Sequence, residues 1–215
     1  MKIPSELTAE KALIFRIIHI DNVEWMLKNG LRCKNSGVSD PNFVEIGNKD
    51  LIDKRIHRAV KIPPGGFLSD YIPFYFTPFT PMMLNIKTGH QGVTKRPMSE
   101  LVIMVSSLRQ VAAIGHSFCF TDRHAYLEAA FYSSDLMDLH VVDWEKIQRR
   151  DFRRDVNDPE RFERYQAEAL IHGALSLNAL LGLVCYGEEQ QQKIMGLVKS
   201  QVLEIKVLNL PSWFV

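Results

Sequence analysis

Between Pro64 and Met83 the chain reads Pro-Gly-Gly-Phe-Leu-Ser-Asp-Tyr-Ile-Pro-Phe-Tyr-Phe-Thr-Pro-Phe-Thr-Pro-Met-Met. Proline at 73, 78 and 81 forbids a helix through this stretch, because each ring removes an N–H donor and clashes with the preceding turn. The same prolines limit any strand to residues 72–76. What remains is a stiff backbone carrying Tyr71, Phe74, Tyr75 and Phe76, next to a Gly65-Gly66 pair that lets another chain or a ligand approach closely. A rigid aromatic wall of this kind suits a flat heteroaromatic ligand such as a nicotinamide or a base. A core strand with turn-forming flanks accounts for the same residues.

The chain around this wall is long enough to bury it. At 215 residues, with 46% hydrophobic and 24% charged content, residues 1–215 are expected to form a single domain with a sizeable core. Cys33, Cys119 and Cys185 are odd in number and far apart, which argues against a disulfide scaffold and for a reducing cytoplasm. No His/Cys/carboxylate cluster has ligand spacing, so no metal is expected. The first residues carry no apolar signal segment and no run approaches membrane-spanning length, so export and insertion are not expected. With a net charge of +1, nucleic-acid binding would need a local patch.

Several such patches exist. Residues 12–20 form a nearly continuous β-branched run and read as a buried strand, with His19 at its end. Asp21 or Asn22 then caps a short helix that stops at Gly30, so His19, Asp21 and Asn22 share a corner where unpaired helix N–H groups face an anion or ribose. Residues 35–66 read as a long loop with one helical turn within 48–60, carrying the cations Lys54, Arg55, His57, Arg58 and Lys61. Residues 84–97 read as a polar connection, 101–105 and 117–120 as strands, and Ser106-Ser107 as the cap of a helix ended by Gly115. Thr121-Asp122 is expected to open a helix containing His124, and Asp143 to cap another. In residues 148–163, Arg149, Arg150, Arg153 and Arg154 alternate with acidic residues and aromatics, the composition of a solvated loop and also of a surface that tracks a nucleic-acid backbone. Glu168 follows in an apolar, strand-like piece, where burial is expected to raise its pKa. Residues 177–185, 188–201 and 203–208 close the chain as strand, helix and strand.

Six of these motifs, taken together and in order, resemble one family: His19-Ile20-Asp21-Asn22, Lys54-Arg55, the stretch from Gly65 to Pro78, Phe120-Thr121-Asp122-Arg123-His124-Ala125, Val142-Asp143-Trp144 and Ala167-Glu168. The family is DarT, the DNA ADP-ribosyltransferase toxins of bacterial toxin–antitoxin pairs. The resemblance implies an α+β, split-β ADP-ribosyltransferase fold similar to the PARP-like enzymes, with two facing, mainly antiparallel sheets and NAD in the cleft between them. It implies that His19 and Asn22 bind NAD at the ribose corner. Tyr71, Tyr75, Phe76 and Met83 would pack the nicotinamide, with Met82 filling beside them. Glu168 is then the catalytic carboxylate that holds the ribose and stabilises the oxocarbenium-like transition state. Arg55, His124 or Glu168 would arrange removal of the proton from the acceptor base, and Arg55 and His124 also line the NAD site. The acceptor is expected to be a thymine in single-stranded DNA, because a base within a duplex hides its ring nitrogen. Lys54, Arg149, Arg150, Arg153 and Arg154 would face the DNA.

Two positions depart from the family pattern. Phe79-Thr80-Pro81 stands where Arg-Ser-Pro is expected, so a cation beside the aromatic wall is missing, and Arg123 stands where glycine is commoner. The implied partners are single-stranded DNA and a macrodomain-containing antitoxin, DarG, with the transferase acting as a monomer and without a membrane. Transfer to guanine, RNA or protein, or a non-catalytic nucleic-acid-binding module on the same fold, are the alternatives.

Overall fold

The proline-rich aromatic stretch does become a strand, and the sheet divides beside it. In the computed structural model, which describes residues 3–214, the strands are β1 (Leu13–His19), β2 (Leu31–Arg32), β3 (Tyr71–Tyr75), β4 (Leu101–Ser107) and β5 (Phe118–Thr121). They continue as β6 (Tyr132–Ser133), β7 (Glu168–His172), β8 (Ala174–Leu175), β9 (Gly182–Cys185) and β10 (Val207–Asn209). Eight of them form one sheet in the order β10-β9-β4-β1-β3-β7-β5-β6, and β2 pairs separately with β8.

The sheet is mainly antiparallel, with only β10 running parallel to its neighbour β9. Its two halves, expected as two facing sheets, are joined through a single register pair, Phe15↔Tyr75. By contrast β1 pairs with β4 over its whole length, from Leu13↔Ser107 to His19↔Leu101, and β3 pairs with β7 from Tyr71↔His172 to Tyr75↔Glu168. Pro73 explains the parting. It has no N–H to offer a neighbouring strand, and its carbonyl is taken by Arg16 Nη1 at 2.8 Å. The gap between the halves is therefore written in the backbone chemistry of β3.

The helices are α1 (Asn22–Asn29), α2 (Lys49–Ile56), α3 (Pro81–Thr88), α4 (Leu108–Ala113), α5 (Trp144–Arg149), α6 (Arg161–Arg164) and α7 (Glu188–Ser200). Leu101, Val102, Ile103 and Met104 of β4 are all fully buried, as expected of a central strand covered on both faces. Gly30 ends α1 with φ of 72°, a conformation that costs glycine nothing. Among the described residues no helix is long and apolar enough to cross a membrane.

Three expected elements come out differently. Residues 84–97 are not a polar connection throughout, because α3 starts at Pro81: the Thr80 hydroxyl accepts the Met83 N–H at 3.1 Å and proline fits the first helical position. After β5 there is no helix. The Asp122 carboxylate that was expected to cap one instead accepts the Phe131 N–H at 2.9 Å, folding residues 122–131 into turns that return as β6. The strand expected over 203–208 is shorter and shifted, at Val207–Asn209.

Candidate active site

Glu168 is the first residue of β7, paired across the sheet with Tyr75, and it is only 2% exposed. Its own N–H donates to the Thr121 hydroxyl at 3.1 Å, which donates in turn to the Arg123 carbonyl at 2.6 Å. The carboxylate is held by three groups from two segments, α2 and the turn after β5. Arg55 Nη1 donates to both oxygens, at 3.2 and 2.9 Å; the Ala125 N–H donates to Oε1 at 2.9 Å; and His124 Nδ1 lies 3.0 Å from Oε1. Burial pushes this carboxyl up, as expected from the sequence. The Arg55 charge, the His124 contact and the Ala125 N–H outweigh it and hold the pKa down at about 2. Glu168 is thus a fixed anion, which corrects the expected direction.

Arg55 reaches Glu168 from α2, a helix capped by Asn48, whose side chain accepts the Leu51 N–H at 3.0 Å. The Arg55 side chain is 12% exposed and its Nη2 is buried without a hydrogen-bond partner. An orphaned guanidinium nitrogen beside a carboxylate costs free energy unless something else binds it. That something has room: Arg55, Glu168 and His124 line a cavity of about 580 Å³, within the roughly 300–1,000 Å³ typical of ligand pockets.

The same cavity takes in Arg16 from β1, Asn22 and Trp25 from α1, Phe43 and Glu45 from the long loop, Tyr71 and Tyr75 from β3, Met82 from α3, and Phe162 and Gln166. It therefore occupies the gap where the half-sheets part. Burial first, and then the neighbouring Glu168 charge, push the Tyr75 hydroxyl up to about 12, so Tyr75 stays a neutral donor in it.

The remaining expected site residues are dispersed. His19 is 5% exposed and does not line the cavity; its Nε2 lies 3.3 Å from both Glu100 Oε2 and Arg96 Nη1. Asn22 does line it, but its amide is spent on the loop, donating to the Val44 carbonyl and accepting the Val44 N–H, each at 2.9 Å. Tyr71 lines it with its hydroxyl committed to the Gly65 carbonyl at 2.7 Å. Phe76 and Met83 are core residues that the cavity does not reach, Phe76 standing edge-on to Phe120 and Trp144. Side-chain alternation along β3 explains Phe76, the next residue of the chain, since neighbouring side chains point to opposite sides, whereas Met83 is buried from α3.

Lys54 is exposed on α2. Arg149 pairs with Glu145 along α5 at 2.7 Å, Arg153 with Asp151 at 3.1 Å, and Arg154 lies 5.2 Å from the Phe162 ring centroid. Arg150 covers the Phe79 ring at 3.4 Å, so the cation whose absence beside the wall was expected from Phe79 arrives from later in the chain. Nor is the segment a loose solvated loop. Arg161 gathers Asp151, Asp155 and Asp158 at 3.0, 2.5 and 3.5 Å, and Arg164 ties Asp158 to Asp143. Arg123 links Asp122 to Glu160, joining that knot to the turn that carries His124.

Arg16, Trp25, Phe43, Phe162 and Gln166 are cavity residues that sequence reasoning missed. Arg16 left a signal: it is the one cation inside an otherwise apolar strand. The others left none, because aromatic and amide residues at those spacings are equally at home on any surface.

Comparison with solved structures agrees with this geometry. The DarT of Thermus sp. 2.9 in complex with ADP-ribosylated ssDNA superposes with a TM-score of 0.88 at 30% identity, covering 96% of this chain and 97% of that one. The same protein in complex with NAD+ gives 0.81 at 31%, covering 96% and 98%. The fold is the split-β ADP-ribosyltransferase fold. A family model described as ssDNA thymidine ADP-ribosyltransferase, DarT, matches residues 15–215. A DNA ADP-ribosyl transferase of Escherichia coli O127:H6 (strain E2348/69 / EPEC) is 47% identical over 210 residues, 98% of this chain and 96% of its own length. The chain belongs to the DarT family.

Proposed function

We propose that residues 1–215 act as one transferase domain that cleaves NAD+ and attaches ADP-ribose to a thymine of single-stranded DNA. The observation that carries this reading is the ionised Glu168 at the cavity wall, beside an Arg55 Nη2 that has no partner. As the ribose C1–nicotinamide bond breaks, its electron pair leaves with nicotinamide and positive charge develops on the ribose. A fixed carboxylate aimed there stabilises that charge most when it is greatest. The thymine ring nitrogen then bonds to C1 and loses its proton. With its pKa at about 2, Glu168 is a poor acceptor near neutrality, so Arg55 or His124, both in contact with it, guides the proton away. Tyr75 and Met82 supply the apolar face for the nicotinamide, and Arg16 sits as a cation in the same cavity.

The family resemblance supports a toxin role for this activity, countered by a macrodomain antitoxin of the DarG kind, with the transferase working as a monomer in the cytoplasm. Among the described residues no group of three or more His, Cys, Asp or Glu side chains is placed to hold a metal, and no step above needs one. Incubation with NAD+ and single-base oligonucleotides, followed by mass spectrometry, tests the proposal. One ADP-ribosyl unit should appear on thymine-only strands, in the presence or absence of a chelator. Modification of guanine alone, or of none of the four, would overturn it.

A further inference from the structure

Phe79 is built into the fold as a platform. It is 3% exposed, its N–H donates to the Thr77 hydroxyl at 3.2 Å, and its carbonyl accepts from the buried Tyr165 hydroxyl at 2.8 Å. Tyr165 in turn meets Phe152 in a tilted ring contact, centroids 5.1 Å apart. Directly after Phe79, Thr80 caps α3, which delivers Met82 to the cavity. Arg150 meets this platform from the other side. It ends α5 in the left-handed conformation, φ 55°, uncommon outside glycine, and its guanidinium carbon lies 3.4 Å from the Phe79 ring centroid. At that separation the planar group can only lie flat on the ring.

Most cations of the segment are already spent. Arg149, Arg153, Arg161 and Arg164 are each paired with carboxylates. Among the described residues no hydrogen bond or ion pair is formed by the Arg150 guanidinium, although the residue is exposed. Its donors are oriented and unengaged. An arginine on a free stem gives up rotamer freedom when it grips a ligand, and one already stacked has given it up in advance.

We infer that Phe79 is the positioning residue for Arg150, holding its guanidinium flat so that the free donors grip a phosphate of the single-stranded substrate. This rests on the transfer to DNA proposed above. The pair would fix where the strand enters relative to the cavity, since Phe79 directly precedes the cap of α3, which carries Met82 to the cavity, and Arg150 belongs to the arginine-rich segment.

The test is binding of a thymine-containing single-stranded oligonucleotide, read by fluorescence anisotropy over a series of salt concentrations. Arg150→Ala should bind most weakly and lose about 0.7 from the slope of log affinity against log salt, the contribution of one single-strand phosphate contact. Phe79→Leu and Arg150→Lys keep the charge and lose the stack, so each should weaken binding about 2- to 5-fold with the slope unchanged. The double variant Phe79→Leu/Arg150→Ala should bind no more weakly than Arg150→Ala. Additive losses, an unchanged slope in Arg150→Ala, or parental affinity in Arg150→Lys would overturn the inference. Arg150→Lys decides alone if Phe79→Leu does not fold, because Arg150 lies at the surface. A parent protein that binds no oligonucleotide overturns the proposed function as well, whereas a parent that binds beside indifferent variants overturns only this pair.

Discussion

At Glu168 burial and charge pull in opposite directions, and charge wins because Arg55, His124 and the Ala125 N–H converge on one carboxylate. Replacing it by glutamine keeps the shape and removes the anion. Glu168→Gln should lower turnover roughly 10²–10³-fold, the usual loss for one preorganised electrostatic contact, with NAD+ binding retained. It should also destabilise the protein by about 1–3 kcal/mol at neutral pH, since a buried charged donor loses its charged partner. The folded pKa, about 2, lies below the ordinary 4.5, so this stabilisation is fully present above the ordinary value. It is lost as pH falls from about 4.5 to about 2. Urea unfolding at a series of pH values should therefore show the two proteins converging on acidification. A gap that persists at the acid end would mean that shape, not charge, made the difference. That a lone glutamate stands buried in an apolar run was legible in the chain; that its pKa falls rather than rises was not, because Arg55 is 113 positions away.

Helix α2 is the element on which this pairing depends, and it is weakly anchored: none of its residues is fully buried. It is held by the Asn48 cap, by the Arg55–Glu168 pair and by Leu51 and Ile52 against the cavity. Its amides should exchange with solvent well before those of β4, and NAD+ should slow them by covering Leu51 and Ile52. Asn48→Ala removes about 1 kcal/mol of helix stability, which corresponds to about fivefold faster exchange confined to α2. Equal acceleration in β4 would mean that the helix is not an independent unit. Caps of this kind are readable in sequence: Asn48, Ser107 and Asp143 all act as their residue types predict. Asp122 offers the same signal and does not cap, because its carboxylate is engaged by an N–H nine residues on. Likewise, alternating Arg and Asp over residues 148–163 reads as solvated charge, and only tertiary geometry turns it into a knot centred on Arg161.

For the molecule as a whole, the parted sheet makes the cavity a joint between two halves. A ligand there touches β1 and α1 on one side and β3 and β7 on the other. NAD+ at about 100 times its Kd should add about 2.7 kcal/mol and raise Tm by about 5–10 °C for a domain of this size, whereas nicotinamide alone should do much less. An unchanged Tm would mean that the folded chain does not bind the dinucleotide and would overturn the proposed function. The longer strands, most helix starts and the family follow from the sequence alone, because they rest on local signals: β-branched runs, capping residues, prolines and motifs in order. Phe76 and Met83 looked like Tyr75 and Met82 in sequence and lie in the core, since which face of a strand or helix meets the gap is set by what is packed against it. The place of Arg16 in the cavity, the Phe79–Arg150 stack and the ionised state of Glu168 were decided only by the tertiary structure, where distant residues share one low-dielectric space and their charges determine one another.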